Sequence, residues 1–135
     1  MSVMIKRIFG IFLLSLYVIS IPVDASKALI NKEAIMSNQH KALEAIKKSL
    51  GTETGEYGID LFVSHHLEEL PSSYWLKHFN ITIPSSEQVI SLLTLREKWE
   101  GEETYDFTLP GEVTDYVISV SFDDEGNIEG IVMES

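Results

Sequence analysis

The sequence predicts an α+β domain, with N-terminal helices packed on a small C-terminal antiparallel sheet of three to four strands. Three observations lead there. From about residue 38 to residue 99, apolar residues recur mainly at helical spacing. From Tyr105 onward they alternate with polar ones at the period of a strand. Strands do not alternate with helices along the chain, as a parallel sheet would require.

Residues 38–50 read as a helix. Asn38 can cap its first turn, while Ala42, Leu43, Ile46 and Leu50 share a face. Lys47 and Lys48 suit its negative end, and Gly51 stops it. Ala28, Leu29, Ile30, Ala34, Ile35 and Met36 allow an upstream extension without requiring it. Residues 51–55 form a loop. Residues 57–63 are expected to be a short strand, because Ile59, Leu61 and Val63 alternate with Gly58, Asp60 and Phe62.

Residues 64–70 and 72–79 read as two short helices split at Leu70-Pro71. A proline pushes its predecessor out of helix geometry and itself starts a helix well. Residues 80–84 are a linker. Residues 85–99 are expected to be a second substantial helix, with Ser85 and Gln88 at capping-box spacing and Val89, Leu92, Leu93 and Trp99 as its apolar stripe. Tyr105, Phe107 and Leu109 then mark a strand before the Pro110-Gly111 turn. Tyr116, Ile118, Val120 and Phe122 mark the next and should face a core with Leu92 or Leu93 and Trp99. Residues 123–127 are a hairpin turn, and residues 128–133 return as a strand with Gly130 as a bulge or weak point.

The N-terminus reads as an export signal over residues 1–25. Lys6 and Arg7 precede a chargeless stretch from Ile8 to Val23, and Val23-Asp24-Ala25 resembles a cleavage site before Ser26. At 1.5 Å per residue that stretch spans about 24 Å, short of the ~30 Å hydrocarbon core. The expected location is therefore periplasmic or secreted, the alternative being an uncleaved anchor. Contact with membrane is expected only through this segment. Residues 26–135 are expected to form one domain, and residues 8–23 to stay out of its core.

Charge limits the partners. The chain has 10 basic and 21 acidic residues, net −11, and no cysteine. Residues 51–135 carry three basic residues, Lys77, Arg96 and Lys98, against 18 acids. Such a surface repels nucleic acid, since phosphates need Lys and Arg. It is complementary to a basic protein, with Glu102, Glu103, Asp123, Asp124 and Glu125 as candidate partner-binding residues.

Candidate chemistry is sparse. Without cysteine there is no disulfide, thiolate ligand or thiol nucleophile. No nucleophile elbow, P-loop or dinucleotide fingerprint is present, so neither an enzyme nor a cofactor is expected. His65, His66, Glu68 and Glu69, with His78, are the candidate metal ligands, because His65 shares a helix face with Glu68 and Glu69. The adjacent histidines are not a zincin pattern. With Gly126 at position 6, a calcium loop would need ligands at Ser121 and Val132, which fails. Asn80-Ile81-Thr82 matches a glycosylation acceptor.

His65 to Leu70 followed by Tyr74-Trp75, then Tyr105 to Pro110, Val113 to Ile118, Val120 to Asp123, Gly126 and the terminal Met133-Glu134-Ser135, resembles a small bacterial family of unknown function. The resemblance implies a small α+β domain with a binding role such as toxin immunity. It implies no catalytic residue. The expected function is an exported, acidic, non-enzymatic binding domain, an immunity or inhibitor protein for a basic toxin or cell-wall enzyme. Its rivals are a metal-binding protein using His65 and His66, and an envelope structural protein without a ligand.

Overall fold

The computed structural model describes residues 23–98 and 103–135. The chain divides into two units, Met1–Ser37 and Asn38–Ser135. The expectation for the export signal falls on residues outside those described, apart from its last few. Helix α1 (Val23–Ser49) is continuous through the upstream stretch. Within the first unit, residues 23–37 of this helix are almost entirely exposed.

In the second unit α1 buries Ala42, Ile46 and Ser49, one stripe at i, i+4, i+7. Gly51 ends it in the left-handed conformation (φ 74°). The following turn packs tightly. A Cβ on Gly55 would fall 2.1 Å from the Ser49 carbonyl oxygen, so only glycine fits. The Asp60 carboxylate holds the turn by accepting from the Gly51 N–H at 2.9 Å.

Helix α2 (Ile59–Glu69) replaces the strand expected over residues 57–63. Ile59, Phe62, Val63 and His66 are the buried positions, a stripe at i, i+3, i+4, i+7. The strand alternation groups Leu61 with Ile59 and Val63 and sets Phe62 apart from them. In the helix Phe62 is fully buried with Ile59 and Val63, and Leu61 is 46% exposed. Helix α3 (Ser72–Phe79) follows Pro71, with Trp75 buried and Asn80 as a left-handed cap.

The second substantial helix is also corrected. Helix α4 (Ser86–Ser91) has the expected capping box between Ser85 and Gln88, but ends there. Residues 94–98 form strand β1 (Thr94–Lys98) instead. Pairing with β2 gives this segment a backbone ladder and sets Leu95 opposite Phe107. Leu93 still reaches the core from the bend between the two elements. Trp99 and Glu102 lie outside the described residues.

Strands β1, β2 (Thr104–Thr108), β3 (Val117–Phe122) and β4 (Ile128–Glu134) form a four-stranded antiparallel sheet in sequence order. The fold class is therefore α+β, helices first and sheet last. Tyr105 pairs with Val120 and Phe107 with Ile118, and Val120 and Ile118 pair onward with Ile131 and Met133. These residues share the face that the helices cover. Thr104, Asp106, Ser119, Ser121 and Gly130 lie on the other face. The β3–β4 ladder shifts register between Ser121 and Phe122, so Glu129 is the extra residue, next to Gly130.

The facing of β3 yields a stability test. Val120 is fully buried, whereas Ser121 lies on the other face, half-buried. Val120→Ala should cost roughly 1–3 kcal/mol in urea unfolding. Ser121→Ala should stay within about 0.5 kcal/mol. Equal effects would overturn the assignment. Tyr116, expected in the same row, lies just before β3 and is half-buried.

Candidate functional site

The two adjacent histidines of α2 project about 100° apart and meet different surroundings. His66 is 1% exposed. Its Nδ1 lies 2.6 Å from the Phe62 carbonyl, which can only accept, so Nδ1 carries the proton. Its Nε2 lies 2.8 Å from the Thr114 hydroxyl, which donates to the neutral ring. The same Thr114 oxygen accepts from the Tyr116 N–H at 3.2 Å. Burial pushes the His66 pKa below its ordinary value. The Phe62 carbonyl pulls it upward and the neighbouring His65 pushes it down further.

The β2–β3 connection is thus tied to two helices. His66 holds Thr114 from α2, and the Tyr74 hydroxyl of α3 donates to the Pro110 carbonyl at 2.8 Å. Burial pushes the Tyr74 phenol pKa up. Between the ties Glu112 sits at φ 53°, uncommon for a side chain other than glycine, asparagine or aspartate. Sequence spacing could not show either tie, because the partners lie 48 and 36 residues apart.

His65 is half-buried and packs edge-on against Tyr116, ring centroids 4.7 Å apart. Glu68 and Glu69 are exposed on the same helix. His78 is on α3 against Tyr74 at 4.7 Å. The candidate ligands are therefore divided between an inward ring with both nitrogens engaged, an outward ring, and a third ring on another helix. Among the described residues no three His, Asp or Glu side chains are grouped to hold a metal ion.

Two concavities border the tied connection. One, about 460 Å³, is lined by Thr94, Arg96, Thr108, Glu112 and Asp115 among others. Several of its polar groups already serve the fold. Arg96 Nη1 donates to the Asp115 carbonyl at 3.3 Å, and the Thr108 hydroxyl donates to the Tyr116 carbonyl at 2.8 Å. The other, about 340 Å³, is a groove lined by Leu61, His65, Tyr116, Met133, Glu134 and Ser135. Its walls are the outer side of α2, the residue entering β3 and the end of β4.

The described candidate partner-binding acids, Glu103, Asp123, Asp124 and Glu125, gather at the opposite end of β3 and β4. The Asp123 carboxylate organises the hairpin turn by accepting from the Glu125 and Asn127 N–H groups at 3.0 and 2.8 Å. Asp124 and Glu125 are exposed. The Phe122 N–H donates to the Glu103 carbonyl at 2.8 Å, which brings Glu103 to this end. Lys41 of α1 reaches in, donating to the Gly126 carbonyl with its ammonium 5.8 Å from the centre of the Phe122 ring. On α1, Lys47 and Glu44 form an ion pair at 3.4 Å.

No family model, curated protein or solved structure matches the chain.

Proposed function

We propose that the chain is an exported, non-enzymatic domain that binds a basic protein, such as a toxin or a cell-wall-degrading enzyme that it blocks. The observation that carries this reading is the acid excess of the second part of the chain. Residues 51–135 hold 18 acids against three basic residues. Carboxylates left in water cost little in an isolated domain and accelerate encounter with a cationic partner, in a manner that salt suppresses. The Lys6-Arg7 start and the apolar stretch after it support export.

The test is antibody capture of the chain from a fractionated native host, at low and high salt. A basic protein should be retained from the extracytoplasmic fraction at low salt and released at high salt. Retention of no protein at low salt would overturn the binding reading. An intact Met1 on soluble chain found only in the cytosol would overturn export.

A further inference from the structure

We infer that the groove between α2 and the end of β4 is the docking site for a cationic segment carrying an aromatic or aliphatic anchor side chain. This rests on the reading that the partner is basic, and adds where and how that partner is held. Three observations carry it.

The first is apolar surface at the groove mouth. Leu61 is 46% exposed although the helix that bears it buries a full stripe of other side chains. Tyr116 and Met133 continue the apolar lining, both half-buried. Tyr57, 77% exposed, stands in the turn leading into α2. That turn lies along β4, since a Cβ on Gly58 would meet the Ile131 carbonyl oxygen at 3.4 Å. An aromatic anchor entering a lined groove is the usual energetic centre of an interface.

The second is the charge of the walls. Neither α2 nor β4 contains a Lys or Arg. Glu134 lines the groove, while Glu68 and Glu69 follow His65 at the spacings that share its side of the helix. An apolar centre with Glu134 in its lining, and with walls that carry no Lys or Arg, favours a segment with Lys or Arg flanking its anchor, and disfavours anionic ligands.

The third is firmness. Tyr116 is fixed by its N–H to Thr114, which His66 holds in turn, and His65 packs on its ring. A preformed wall loses little freedom on binding. His65 thus acts as a groove wall and His66 as the tie behind it, which gives the adjacent pair two separate roles.

The test uses the full chain and three fluorescent peptides of equal length, built from Lys and Phe, Lys and Ser, or Phe and Ser. Anisotropy is read at low and high salt. The Lys–Phe peptide should bind at least tenfold more tightly than either other peptide, and should shift the Met133 methyl resonance. Leu61→Ser should weaken it about tenfold, whereas Ile83→Ser, at a residue 80% exposed in the linker before α4, should leave it unchanged. Glu68→Lys with Glu69→Lys should flatten its salt dependence. Equal binding of both lysine peptides, with Leu61→Ser behaving as Ile83→Ser, would overturn the groove and leave the acidic-surface reading standing. Preference for the Phe–Ser peptide would overturn the cationic occupant. No salt-dependent binding of either lysine peptide would overturn the acidic-surface reading itself.

Discussion

Phe107→Ala should lower the unfolding free energy by about 3–5 kcal/mol, among the largest losses expected from a single substitution in this chain. Phe107 is fully buried in β2, between Leu95 of β1 and Ile118 of β3. Truncation removes a ring that both neighbouring strands pack against, and the paired backbone on each side prevents the sheet from closing over the gap. Part of the loss is transfer of apolar surface and part is the cavity left behind. Against a typical total of about 5–15 kcal/mol, this brings the folded state close to its limit. Phe107→Leu should recover more than half of the loss, because it refills most of the volume. Urea unfolding checks this through the midpoint at unchanged slope. A loss under about 1 kcal/mol would mean that the face shared by Tyr105, Phe107, Ile118 and Val120 is not the covered one.

That face was legible from alternation alone, and so were the signals that end or start an element within a few residues. Gly51, Pro71, the Ser85–Gln88 box and the Asp123–Asn127 turn all act locally, through backbone geometry or one side-chain hydrogen bond. Two segments were misread because short apolar runs fit two periods. Residues 59, 61 and 63 alternate, yet residues 59, 62, 63 and 66 make a helix stripe. The second pattern wins because it extends into residues 64–69, already helical. At Thr94 to Lys98 the deciding partner is β2, across a connection that no local propensity encodes. The candidate site was harder. Adjacent histidines look alike in sequence, and only the contact with Thr114, 48 residues away, tells which one turns inward. The openness of Leu61 is hidden by the strand alternation, which groups it with Ile59 and Val63, both buried.

His66 should make the fold acid-sensitive near pH 6. The unfolded chain takes up a proton at His66 near its ordinary value of 6.5, whereas the folded chain binds it only at lower pH, burial being the main cause. Between the two values the unfolded state holds more protons, so unfolding is favoured as the pH falls. The neutral-ring contribution is complete above about pH 6.5, declines below it, and stops declining once the folded ring is protonated as well. Protonation also turns Nε2 into a donor, so the Thr114 hydroxyl loses the acceptor it had and keeps only an accepting role. His66→Gln should remove this component of the pH dependence while keeping hydrogen-bonding capacity. Its stability relative to the parent chain should therefore improve between pH 7 and pH 5. His66→Ala should cost roughly 2–4 kcal/mol at pH 7, from a cavity plus the Thr114 hydroxyl proton left without its acceptor. Urea unfolding across that pH range separates the two effects. A parent chain and a His66→Gln variant with parallel pH profiles would mean that the ring is not held neutral in the fold. Because Thr114 also accepts from the Tyr116 N–H, the tie whose direction acid reverses leads directly to a wall of the α2–β4 groove.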